Sequence, residues 1–221
     1  MRLNADFSQF AAIRPSDYRW VDSPSPGVER MMLDRIGDEV ARATSLVRYA
    51  PHSQFGRHTH DGGEEILVLK GVFADEHGTY PAGSYLRNPI GTGHTPHIGA
   101  EGALIFVKLH QFDLNDTLQL AIPAHQHPWQ PDRRPGITYK MLHTFGQERV
   151  SLERWEADIA VDYPTLTGGL ELLVLEGSLW DNATEYPAGS WCRYPVGAAP
   201  QLRAGNEGAM FYLKRGHLSA A

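Results

Sequence analysis

The stretch Gly56–Gly71, GRHTHDGGEEILVLKG, decides how this chain is read. It sets two histidines, paired glycines and two adjacent glutamates ahead of Ile66, Leu67, Val68 and Leu69, an apolar run of the length that forms a buried strand. Alternate residues of a strand face the same side, so His58 and His60 share a face; Glu64 has their parity and Glu65 does not. Gly62 and Gly63 let the backbone bend and return the carboxylate towards the imidazoles. Two imidazoles and the Glu64 carboxylate can then meet one metal ion. A His-x-His pair also arises on surface hairpins, so the motif needs context. Downstream, GSYLRNPIGTGH (Gly83–His94) ends an apolar strand in a Pro-and-Gly turn that presents His94 as a further ligand.

Outward from this segment the chain repeats itself. GGEEILVLKG (Gly62–Gly71) falls on GGLELLVLEG (Gly168–Gly177) at an offset of 106, and the same offset lays YPAGSYLRNPIG (Tyr80–Gly91) on YPAGSWCRYPVG (Tyr186–Gly197). Ser45-Leu46-x-Arg48 matches Ser151-Leu152-x-Arg154 at that spacing, while Pro26-Gly27 matches Pro135-Gly136 at 109, so the second copy is shorter in its first hairpin. Two copies of one unit are expected, divided as residues 1–115 and 116–221. The offset carries His58 to Pro164, His60 to Leu166, Glu64 to Leu170 and His94 to Pro200. Losing all the ligands together to apolar residues is what a metal-free unit requires, because an imidazole or carboxylate buried without its metal is costly. Glu65, Arg87, Gly71 and Lys108 are kept as Glu171, Arg193, Gly177 and Lys214, and are assigned to turns, rims and interfaces.

These residues carry a resemblance. His58-x-His60-xxx-Glu64-xxxxxx-Gly71 resembles the first cupin motif and Gly83-xxxxx-Pro89-x-Gly91-xx-His94 the second. The resemblance implies an all-β bicupin, two tandem double-stranded β-helix (jelly-roll) barrels, with one metal on His58, His60, Glu64 and His94 in the first. The sequence departs from the motifs where an upstream glycine and a closing asparagine, here Ile98, are missing; neither removes a ligand. EEILVLKGVFADEHGTYPAGSYLRNPIGTGHTP is further similar to the C-terminal cupin domain of the ChrR anti-sigma factors. That likeness implies zinc and a role in sensing oxidants or ligands. Other cupins with this ligand set bind iron, manganese or nickel and activate oxygen, which implies instead a dioxygenase for a small diketone or phenolic ketone. The helical zinc-binding domain that holds the sigma factor needs a His-xxx-Cys-xx-Cys cluster, and this chain has one cysteine, so direct sigma-factor binding is not expected.

Composition bounds the remaining classes. The 221 residues, 42% of them hydrophobic, with 22 glycines and 15 prolines, describe a folded, turn-rich, mainly β protein with little support for helices. A net charge of -6 without a basic patch argues against nucleic acid. Cys192 alone excludes an intrachain disulfide and a cysteine zinc site, and its place opposite Leu86 reads as a buried strand thiol. No apolar run reaches membrane-spanning length and the N-terminus lacks signal-peptide features, which gives the expectation of a soluble, cytoplasmic protein. It would take a small molecule or O2 as ligand, and act as a monomer or homodimer, with the second barrel as an intramolecular partner of the first. His97 reads as a solvated turn residue, and His125 and His127, between prolines, as surface. Tyr85, Phe106, Arg87 and Asn88 read as core and rim.

Overall fold

The computed structural model describes residues 1–123, 126 and 128–218. The pair His125 and His127 lies outside the described residues. The repeat appears as two compact all-β units, each built on a nine-stranded antiparallel sheet. In the first, Val28–Gly37 pairs with Ala41–Tyr49, which pairs with His97–Leu109, then Glu64–Asp75 and Tyr85–Asn88. The second repeats this order with Ile137–Phe145, Glu148–Trp155, Gln201–Arg215, Leu170–Asp181 and Trp191–Tyr194. Glu64 lies opposite Asn88, and Leu170 opposite Tyr194, so the offset of 106 is a register in space as well as in sequence. A single 3-10 turn, Pro15–Asp17, is the only helical element among the described residues.

The units are interleaved along the chain. Met1–Ala5 and Arg19–His127 form one, Asp6–Tyr18 and Pro128–Ala221 the other. The opening segment, which shows no clean period, supplies Ala11–Ile13 to the edge strand Trp191–Tyr194 of the second unit. Its counterpart at the offset of 109, Leu120–Ile122, pairs with Tyr85–Asn88 in the first. A division at 115/116 separates the sequence repeats, whereas the compact units exchange their leading segments.

The inward faces form separate cores. In the first unit Val28, Val47, Ile66, Val68, Phe73, Ile105 and Val107 pack together. In the second, Trp155 takes the place of Tyr49, with its ring edge-on to Phe211 at 5.2 Å between centroids. Gly71 and Gly177 are left-handed, at φ +67° and +66°, and face the backbone of Gly102 and Gly208, where a side chain would collide. The retained charges are not solvent-facing rim groups. Glu65, Arg87, Lys108, Glu171, Arg193 and Lys214 are all buried. Arg87 joins Glu65 and Asp116, and Lys108 Nζ donates to Thr44 Oγ1 at 3.0 Å. A long charged side chain on a strand tolerates burial when its partner sits on the neighbouring strand, a pairing the one-dimensional repeat does not show.

Candidate metal centre

Three short pieces of backbone bring the ligands together. His58–Thr59 pairs antiparallel with Gly93–His94, with His58 directly opposite His94. His60 follows, and a turn through Gly62 and Gly63, the latter at φ +78°, delivers Glu64 as the first residue of Glu64–Asp75. The strand is interrupted between Thr59 and Glu64, so the carboxylate reaches the imidazoles through the turn and not through unbroken strand parity. The structure places all the expected ligands in one cluster: one ligating atom from each of His58, His60, Glu64 and His94 lies within 4.8 Å of the others. His60, Glu64 and His94 are buried and His58 is partly exposed.

Each imidazole is oriented from behind. His58 Nδ1 is 3.1 Å from the Gly56 carbonyl, which only accepts, so Nδ1 carries the proton. His94 Nδ1 donates to Asp75 Oδ2 at 2.9 Å. His60 Nδ1 lies 2.9 Å from Thr92 Oγ1, whose own proton is given to the Pro89 carbonyl at 2.6 Å, so His60 Nδ1 donates here too. All three rings therefore hold their proton on Nδ1 and turn an Nε2 lone pair to the centre, the tautomer that metal ligation needs. Asn88 Nδ2 donates to Glu64 Oε2 at 3.1 Å and fixes the carboxylate.

These residues fit a divalent metal. The Nε2 atoms of His60 and His94 are buried and make no hydrogen bond. They stand 3.1 and 3.4 Å from Glu64 Oε2. Ligands about 2.0–2.2 Å from one ion are separated by about 3.0–3.5 Å, which matches. Burial pulls the Glu64 carboxyl up, but His60, His94 and His58 outweigh it and hold it below its usual value. Burial likewise pulls His94 down, but its hydrogen bond to Asp75 and the charge of Glu64 override it, so His94 lies above an ordinary histidine. His58 lies below, because burial exceeds the help from Gly56 and Glu64. Imidazole and carboxylate donors suit zinc, iron, manganese or nickel.

A cavity of about 350 Å³ adjoins the centre. All four ligands line it, with Val47, Phe55, Phe73, Ile105 and Val107 as apolar wall. In the second unit core residues take the ligand positions, while the counterpart mouth, lined by Tyr139, Glu153, Val161, Pro164 and Arg215, still encloses about 500 Å³. Leu166, Leu170 and Phe211 join the core, and Asp181, counterpart of Asp75, accepts from Tyr194 Oη at 2.8 Å instead of holding a histidine.

Among the residues read from sequence as bystanders, His97 is exposed at the start of His97–Leu109 and does not line the cavity. Cys192 is a buried strand thiol, pushed above its usual pKa by burial. Tyr85 and Phe106 are buried outside the cavity wall. Asn88, read as rim, holds Glu64, and Thr92 and Asp75 were not singled out at all. Asn88 and Thr92 become Tyr194 and Ala198 in the second copy, so they change together with the ligands, and that signal was available. Among the described residues no helix is long and apolar enough to cross a membrane.

Comparisons with known proteins bear on the fold. A "putative dioxygenase" from Nostoc punctiforme PCC 73102 superposes at TM-score 0.77 and 17% identity, covering 97% of this chain and 85% of that one. The "putative glyoxylate induced protein" from Pseudomonas aeruginosa does so at 0.74 and 15%, covering 93% and 87%. Oxalate decarboxylase from Lactobacillus farciminis, in a formate complex, gives 0.67 and 10%, covering 95% and 87%. At these identities the likeness is one of fold, that of two cupin barrels in one chain. No protein of curated function matches the sequence. The model of the ChrR cupin-like domain matches twice, over residues 8–113 and 118–219, and the chain belongs to that family, with the domain present in two copies.

Proposed function

We propose that the first barrel holds one divalent metal on His58, His60, Glu64 and His94 and acts with it on a small molecule, as a metal-dependent cupin dioxygenase. The observation that supports this reading is the cavity: a structural zinc site is closed by its protein ligands, whereas here about 350 Å³ of largely apolar-walled space touches all four. When bound, iron, manganese or nickel supplies Lewis-acid and electron-transfer chemistry towards O2 and an enolisable substrate such as a diketone or phenolic ketone. The chain's own residues do the positioning. Gly56, Thr92 and Asp75 hold the three imidazoles, Asn88 holds Glu64 Oε2, and Val47, Phe55, Phe73, Ile105 and Val107 keep bulk water from the reacting face. The name of the Nostoc protein agrees with this reading and lends it only the weight of a shared fold.

The double ChrR match favours a second reading, in which a zinc-loaded centre senses an oxidant or ligand and the output is regulatory. One experiment separates them: elemental analysis of protein purified without added metal, then oxygen uptake after anaerobic iron reconstitution with diketones and phenolic ketones. Substrate-dependent uptake is the expected result. About one zinc per chain with no uptake across the panel supports sensing. Metal is lost in His58→Ala and His94→Ala and kept in Pro200→Ala, the second-copy counterpart of His94; a full equivalent retained in both histidine variants refutes the centre.

A further inference from the structure

The first barrel aims a guanidinium into its own cavity. Arg30 lies two residues beyond Val28, a core residue, on Val28–Gly37, and its cross-strand partner is Val47, also in the core. Strand alternation therefore directs Arg30 inward, and it lines the same cavity as His58, His60, Glu64 and His94. Its Nη1 and Nη2 face Glu39 at 3.3 and 3.4 Å on the exposed side, while its Nε is buried and makes no hydrogen bond. No other arginine or lysine is among the described residues of the cavity wall. Asp61 and Glu39, the acids of that wall apart from Glu64, are exposed.

The internal repeat does not keep an arginine at this position. At the offset of 109 Arg30 becomes Tyr139, and the cross-strand partner Val47 becomes Glu153, paired with Tyr139 in the same register. The barrel without ligands has no arginine at that position, and its own cavity takes Arg133, Arg134 and Arg215 from other positions. A guanidinium edge left open in an apolar wall suits a carboxylate or enolate, which it binds through charge-assisted hydrogen bonds.

We propose that Arg30 is the specificity-determining residue of this cavity and selects small organic anions, carboxylates or enolates, holding the negative end while the carbon skeleton faces the His/Glu centre. The assignment rests on reading that centre as a place where substrate binds. The test is calorimetric titration of phenylacetate and its neutral counterpart phenylacetamide into the metal-free and zinc-loaded full chain. Wild type prefers phenylacetate, and Arg30→Gln weakens phenylacetate binding by about tenfold or more in both forms. Phenylacetamide affinity and zinc stoichiometry stay unchanged, and Arg30→Lys restores part of the loss. Glu39→Gln, at an exposed position, releases the guanidinium and tightens phenylacetate binding. Equal phenylacetate affinity in wild type and Arg30→Gln, or no tightening in Glu39→Gln, overturns the proposal. Failure of the metal centre shows separately, as wild-type protein without zinc in which Arg30-dependent anion binding to the metal-free form persists.

Discussion

Asp75→Asn replaces one oxygen with an NH2 in a side chain that has two duties. Oδ1 accepts from the His77 and Gly78 amides at 2.8 and 3.1 Å and from Tyr80 Oη at 3.3 Å, while Oδ2 accepts from His94 Nδ1 at 2.9 Å. The asparagine oxygen stays with the turn, because an NH2 there would meet two N–H donors. Its NH2 then faces His94 Nδ1 and converts it to an acceptor, which moves the ring proton to Nε2, the atom the metal requires. Shape is preserved and ligation is lost. Removing such a supporting carboxylate costs about 10–100-fold in metal affinity, or about 1.4–2.8 kcal/mol. Chelator competition for zinc at neutral pH measures the affinity, and nitrogen chemical shifts of His94 report the tautomer. A zinc affinity within twofold of wild type, or a His94 that keeps its proton on Nδ1, refutes the reasoning.

Two further outcomes follow from the same geometry and its absence in the second barrel. Because the folded pKa of His94 is raised above 6.5, its contribution to metal-free stability is fully present below that value and is lost as pH rises through the raised one, whereas metal, which needs the neutral ring, is released as pH falls through it. Glu64 and Asp75, both lowered, contribute above their unfolded values and lose that contribution only in stronger acid. In His58→Gln, which removes the opposite contribution of the lowered His58, a metal-free melting temperature that climbs from pH 6.5 to 8 contradicts this. Trp155→Ala removes from the core of the second barrel a ring that is 1% exposed and whose indole N–H donates to Glu153 at 2.9 Å. A loss of about 3–5 kcal/mol in urea unfolding is expected with metal content unchanged, and a loss below about 1 kcal/mol means the ring does not hold that core together.

The candidate ligands were legible because the chain carries its own control. Setting His58, His60, Glu64 and His94 against Pro164, Leu166, Leu170 and Pro200 separates chemistry from scaffold without any second protein. The same rule misplaces Asp75. It is retained as Asp181 and so reads as scaffold, yet it backs His94 in one barrel and accepts from Tyr194 in the other. A carboxylate that serves a turn with one oxygen is kept for that reason, while its second oxygen is free to take whatever partner the barrel offers. Glu65 and Arg87 fail in the opposite way: charge suggests a rim, but cross-strand pairing buries them together.

Sequence by itself determined the all-β class, the duplication, the candidate ligand set and the loss of that set from one copy, since each depends on residue type at a spacing along the chain. Tertiary structure decided which strand edge receives Ala11–Ile13 and Leu120–Ile122, which atoms fix each histidine tautomer, and that Arg30 shares a cavity with the metal ligands. Those depend on contacts between residues far apart in the chain. Antiparallel register and barrel closure create such contacts only when the whole unit folds, and neither is encoded by any local pattern.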